Sequence, residues 1–166
     1  MTHPEPPAGA EELRERIFLV LVDDSDEMRV ALHFACLRAK HTGGRLALLY
    51  VQEPADFQHW MAVEDLMREE RREEAEARLQ ELSAEVQDWA GSMPMLYVRE
   101  GDRGEELFKL VEEEPSISVV VLAASTESDS PGPVINYMLS RTTKQMRVPI
   151  TIVPGLLSDE EIVLLT

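Results

Sequence analysis

Cysteine occurs once in the 166 residues, as Cys36. No internal disulfide can staple the chain, and a reducing compartment, the cytoplasm, is the expected location. Cations are scarce: 16 Lys and Arg stand against 32 Asp and Glu, for a net charge of −16 and a pI of about 4.6. That balance excludes nucleic acid as an expected partner and disfavours an anionic membrane surface. Long hydrophobic runs are also missing, none approaching the ~20 residues of a membrane-spanning helix. The four histidines, His3, His33, His41 and His59, have no metal-ligand spacing and no Cys or Ser partner that sequence can assign. An enzyme is therefore not expected. The Pro-rich start, Met1 to Gly9, has neither a basic n-region nor an apolar h-region, so residues 1–15 read as a flexible lead-in and not a secretion signal.

What is present is enough for one packed core, with 44% apolar and 29% charged residues. Ile17 to Val22 is a continuous apolar run, as in a strand buried on both faces. Asp23-Asp24-Ser25-Asp26 supplies helix-start chemistry. Met28, Ala31, Leu32, Ala35 and Ala39 then keep helical spacing through a segment read as Glu27–Lys40. Cys36 rides that helix and reads as a small buried thiol. After Gly43-Gly44 comes a second strand, Leu46 to Val51, and then a loop from Gln52 to Ala62 carrying Phe57, His59 and Trp60. A long charged helix runs from about Glu64 to Ala90 with the stripe Ala75, Leu79, Leu82, Val86 and Trp89.

A third strand at Met95–Val98 precedes a helix over Glu105–Glu114. The fourth strand, Ile117–Leu122, leads to a helix striped by Val134, Ile135, Met138, Leu139, Thr142 and Met146, and the fifth spans Pro149–Pro154. Strict strand–helix alternation implies a single-domain, three-layer α/β/α sandwich, a five-stranded parallel sheet with helices on both faces and right-handed crossovers. The domain is expected over residues 16–155. The tail, 156–166, combines a capping-box form at Ser158–Glu161 with an apolar Ile162–Leu165 that suits either helix or strand, and it wants cover.

Glycine is missing where it would matter most. The turn after the fourth strand is where open α/β folds cradle phosphates, on backbone N–H groups that glycine lets a ligand approach. Here it reads Ala123-Ala124-Ser125-Thr126-Glu127-Ser128-Asp129-Ser130-Pro131-Gly132-Pro133. Two carboxylates repel a phosphate, and two prolines remove donors.

Three segments together resemble the universal stress protein family. Val22-Asp23-Asp24-Ser25-Asp26 is close to its V-D-G-S-E, Leu48-Leu49-Tyr50-Val51 is similar to its L-L-H-V, and Val119 to Pro154 keeps its lengths of strand, loop and helix with the V-P-x-x-x-V-P ending at Val148 to Pro154. The resemblance spans residues 17 to 155. It implies a Rossmann-like sandwich, flavodoxin-like or of the adenine nucleotide α-hydrolase type, with strand order 3-2-1-4-5, and a homodimer that pairs the fifth-strand edges. In nucleotide-binding members the fourth-strand loop follows G-x2-G-x9-G and then Ser or Thr. Counted back from Val148-Pro149, those positions fall on Ala123, Thr126, Asn136 and Tyr137. A forward count shifts the register by one or two, and Gly132 is the loop's one glycine either way. Asp23 and Val51 match the adenosine side of that site. Asp23 equally suits a helix cap with no ligand involved.

The resemblance thus implies a member with no cofactor, regulatory and homodimeric, acting through contacts with a protein partner or through an unidentified small ligand. The alternative is an ATP- or AMP-binding switch with an unconventional phosphate loop. A receiver-like signalling domain is a remote third, since the acidic run at Asp23 resembles a Mg²⁺ site. It fails on spacing: the phosphoacceptor region, Met67 to Glu70, holds no Asp, and no Lys precedes Pro149.

Overall fold

The computed structural model describes residues 15–54, 61–142 and 144–166, with the backbone alone at 61–63. The expected lead-in, apart from Glu15, and Phe57, His59 and Trp60 lie outside the described residues. Among the described residues the order is β1 (Ile17–Val22), α1 (Asp26–Thr42), β2 (Arg45–Gln52), α2 (Met61–Ala90), β3 (Met95–Glu100), α3 (Arg103–Glu113), β4 (Ile117–Ala123), α4 (Pro133–Arg141), β5 (Ile150–Val153) and α5 (Asp159–Leu165). The strands form one parallel sheet, β3-β2-β1-β4-β5, as expected.

Alternation along each strand divides the core in two. Val20, Val22, Leu46 and Leu48 face α1 and α2, with Leu32 and Leu82 fully buried between. Leu19, Leu21, Ala47, Leu49 and Val51 face α3 and α4, against Leu107, Leu110 and Met138. β1 is apolar throughout because it lies between β2 and β4 under both layers.

Helix ends depart from the expected bounds where caps decide them. Ser25 Oγ accepts from the Met28 N–H at 3.2 Å, so α1 starts at Asp26 and runs on to Thr42. Asp102 accepts from the Glu105 N–H at 3.0 Å and starts α3 at Arg103, two residues early. α4 ends at Arg141, so Met146 lies beyond it although its side chain still packs on the α3/α4 face. Leu139, expected in that helix's buried stripe, is exposed.

The tail is a helix. Ser158 and Glu161 form a reciprocal capping box, and Ile162 is buried. α5 lies along α1 with Asp159 at 3.3 Å from His33 Nδ1, while the Thr166 carbonyl accepts from Arg38 at 3.3 Å and meets His41 Nδ1 at 2.9 Å. The His33 ring is in turn tilted against Trp89 of α2, centroids 4.6 Å apart.

Candidate functional site

β1 has β2 on one side and β4 on the other, so the connections out of the sheet reverse direction there. The crevice outside the carboxyl ends of β1 and β4 is the place where such sheets take ligands. It is about 190 Å³ in volume. Asp23, Ser25 and Glu27 form one wall, Ala123 and Ser125 the floor, and Gly132 to Ile135 the other wall, with Arg103 reaching in from α3.

Asp23 is at the crevice, but its carboxylate is engaged. Oδ1 accepts from the Ser25 N–H at 2.8 Å and from Ser25 Oγ at 2.5 Å, which fixes the hydroxyl that caps α1. Val51 is 3% exposed and packed in the α3/α4 core, and its side chain is not among those lining the crevice. The two residues matched to an adenosine subsite are therefore not brought together as side chains in this cavity.

Four backbone amides of the loop between β4 and α4 find partners within the loop. The Ser125 N–H donates to the Pro131 carbonyl at 3.0 Å, and the Glu127 N–H to Ser125 Oγ at 3.3 Å. The Ser130 N–H donates to Ser128 Oγ at 3.3 Å, the Gly132 N–H to Ser130 Oγ at 3.4 Å, and Asn136 Nδ2 to Ser130 Oγ at 3.0 Å. Three of these four backbone amides donate to serine hydroxyls and the fourth to a carbonyl of the same loop. Gly132, at φ 113°, takes a conformation other residues rarely adopt and turns the chain into Pro133, the first residue of α4. No side chain caps that helix.

The counted motif positions land elsewhere than a phosphate site requires. Asn136 and Tyr137 lie inside α4, while Gly132 and Pro133 stand at its start. Tyr137 packs against α3, so close that a Cβ on Gly104 would come within 2.7 Å of its ring. The Arg141 guanidinium covers the ring at 4.6 Å. Glu127 and Asp129 are exposed and do not line the crevice.

Two residues at this site escaped the sequence reading. Arg103, first residue of α3, is the cation in the crevice lining, with Glu53 at 3.8 Å. Gly155 sits where a Cβ would meet Glu27 Cβ and Thr126 Cγ2 at 2.7 Å and the Ala124 carbonyl at 2.8 Å, so the turn after β5 is pressed against the crevice rim. Asp102 before Arg103 was a readable helix start. For Gly155 no local signal exists. Among the described residues, no group of three or more His, Cys, Asp or Glu is placed to hold a metal, and no helix is long and apolar enough to cross a membrane.

No curated protein matches the chain significantly. Solved structures do resemble it. A universal stress protein UspA from Lactobacillus plantarum is 20% identical at a TM-score of 0.70, with 84% of this chain and 98% of that one covered. A universal stress family protein from Burkholderia pseudomallei is 24% identical at a TM-score of 0.64, covering 83% and 95%. A universal stress protein solved in complex with cAMP is 14% identical at 0.57, covering 86% and 98%. At these identities the likeness concerns the fold. The sequence model of the universal stress protein family matches residues 15–154, which takes in β1 through β5 and leaves only α5 outside, and the chain belongs to that family.

Proposed function

We propose that this universal stress protein is a regulatory, non-catalytic member whose phosphate loop is closed to nucleotide, and that it acts as a cytoplasmic homodimer on a protein partner. One observation carries the reading. The amides of Ser125, Glu127, Ser130 and Gly132 are all taken by the loop's own carbonyl and hydroxyl oxygens. A phosphate that used these four amides would have to break the bonds they already make and would gain little over them, while Asp23 and Glu27 outnumber Arg103 in the crevice wall. Dimerisation through β5 rests on its place at the sheet edge and on Ile152, which is 39% exposed.

The test is to denature freshly purified protein, assay the supernatant for adenine nucleotide, and titrate the native protein calorimetrically with Mg-ATP, AMP and cAMP. No released nucleotide and no heat support a closed loop. Stoichiometric nucleotide or saturable heat would favour the second reading, an ATP- or AMP-binding switch. That reading draws on the uncapped start of α4 and on the family structure solved with cAMP.

A further inference from the structure

α5 lies outside the segment that matches the family model, which ends at residue 154, and its hold on the rest of the fold is slender. It has seven residues, and isolated helices below ~12–15 residues are marginal in water. Ile162 is the one residue of the helix that is buried, while Leu157 just before it packs against the α1/α2 core. With so little apolar cover, the polar ties to α1 weigh heavily in whether α5 stays docked.

Those ties sit at the two ends. At the far end the Thr166 carbonyl accepts from Arg38 at 3.3 Å, a guanidinium that keeps its charge at any ordinary pH, and meets His41 Nδ1 at 2.9 Å. At the start the one tie is His33, whose Nδ1 stands 3.3 Å from Asp159 Oδ1. That is longer than an ordinary N–H···O bond, so the contact is an ion pair when the ring is charged and counts for little when it is neutral. The ring is held in place from the other side by Trp89 of α2, centroids 4.6 Å apart, and the His33 side chain is only 17% exposed.

The other charges near the ring come from three helices. On α1, Arg29 lies one turn back and is paired with Glu85 of α2 at 2.7 Å, Asp26 lies two turns back, and Cys36, a turn on, is a neutral buried thiol. On α2, Asp88 precedes Trp89, and on α5 Glu160 and Glu161 follow Asp159. Around His41 the charged neighbours on its own helix are Arg38 and Lys40.

We propose that His33 is a proton-operated latch on α5: protonated, it holds Asp159 and the start of α5 on α1, and deprotonated it lets that end open about the Arg38–Thr166 tie and uncover Ile162. The docked state gains the ion pair only when the ring carries a proton. α5 is therefore held tightly below the ordinary histidine range, near pH ~6.5, and more loosely above it. Asp159 is open to solvent, so the pair has the strength of a surface ion pair, enough to change the docking equilibrium about fivefold.

The experiment follows backbone amide exchange in the full chain by ¹H–¹⁵N NMR at pH 5.5 and 8.0, each rate divided by the intrinsic rate at that pH. Protection of Ile162, whose N–H donates to the Ser158 carbonyl at 2.9 Å, and of Val163 to Leu165 is expected to be about fivefold greater at pH 5.5. Leu19 and Leu48, in the centre of the sheet, should change far less. His33→Gln removes the charge and should leave α5 with its pH 8.0 protection at both pH values. Asp159→Asn should do the same, and because Asp159 is exposed it tests the latch without touching the Trp89 contact. His41→Gln should keep the pH dependence. Protection of α5 that is flat between the two pH values overturns the proposal. So does a pH dependence that survives His33→Gln or Asp159→Asn, or one that disappears in His41→Gln.

Discussion

At the scale of single residues, the fold uses close approach more than special chemistry. Cys36 is fully buried on the inner face of α1, and burial, reinforced by the negative charge of Glu85, pushes its thiol from 9.0 up to about 12. Such a thiol is inert, and iodoacetamide at pH 8 should label it only after denaturant unfolds the chain. The same shift gives a pH dependence with a definite sign. The folded state holds the proton more tightly, so the contribution to stability is complete below pH ~9 and falls as pH rises toward 12. Urea midpoints from pH 8 to 11 should decline in the native protein and decline less in Cys36→Ala.

Gly104 offers a second residue-scale test. Alanine would gain ~1 kcal/mol in helix propensity, but its Cβ would meet the Tyr137 ring at 2.7 and 2.8 Å. Overpacking of this kind costs ~1–3 kcal/mol, so Gly104→Ala should lower Tm. The pair Gly104→Ala with Tyr137→Ala should recover part of that loss, a coupling read directly from a double-mutant cycle.

At the scale of elements, legibility followed burial. α1 was readable because Met28, Ala31, Leu32, Ala35 and Ala39 are all buried at helical spacing, and β1 because it is apolar through the sheet's centre. The exposed half of α2 was readable only as a charged helix, since none of Glu64–Glu74 is buried. The loop before α4 was read as hostile to phosphate through its carboxylates and prolines. The occupied amides of Ser125, Glu127, Ser130 and Gly132 depend on the path of the chain in space, and no spacing rule supplies that path.

Arg147 shows the same limit. It donates to the carbonyls of Val111, Glu114, Pro115 and Ile117, closing the corner where α3 hands over to β4. Val111 and Glu114 stand at the C-terminal end of α3, Pro115 follows and Ile117 opens β4, and a guanidinium suits this cluster of carbonyls by charge and geometry. Arg147→Ala should cost ~1.5–3 kcal/mol, the range for hydrogen bonds to a charged group. Arg147→Lys should recover little, because one ammonium cannot span four acceptors. Chemical denaturation of both variants reads the difference.

At the scale of the whole molecule, the net charge of −16 and the apolar residues around the sheet edge pull in opposite directions. Ile152 on β5, Leu156 after it and Val163, Leu164 and Leu165 on α5 are all exposed. A homodimer pairing β5 edges would cover Ile152, and it must bring together two chains that repel each other. Screening shortens that repulsion to ~3 Å in 1 M salt from ~10 Å in 0.1 M. The dimer proposed for this chain is therefore expected to strengthen with salt. Sedimentation velocity at micromolar protein should show the dimer fraction rising between 0.05 and 0.5 M NaCl, the ~14 Å and ~4 Å screening regimes. Ile152→Glu adds a buried charge at the edge and should leave monomer at every salt concentration, with Tm little changed because the side chain is exposed within one copy. A native chain that stays monomeric at high salt would remove β5 as the interface. The acidic surface would then be the feature that keeps this edge from pairing.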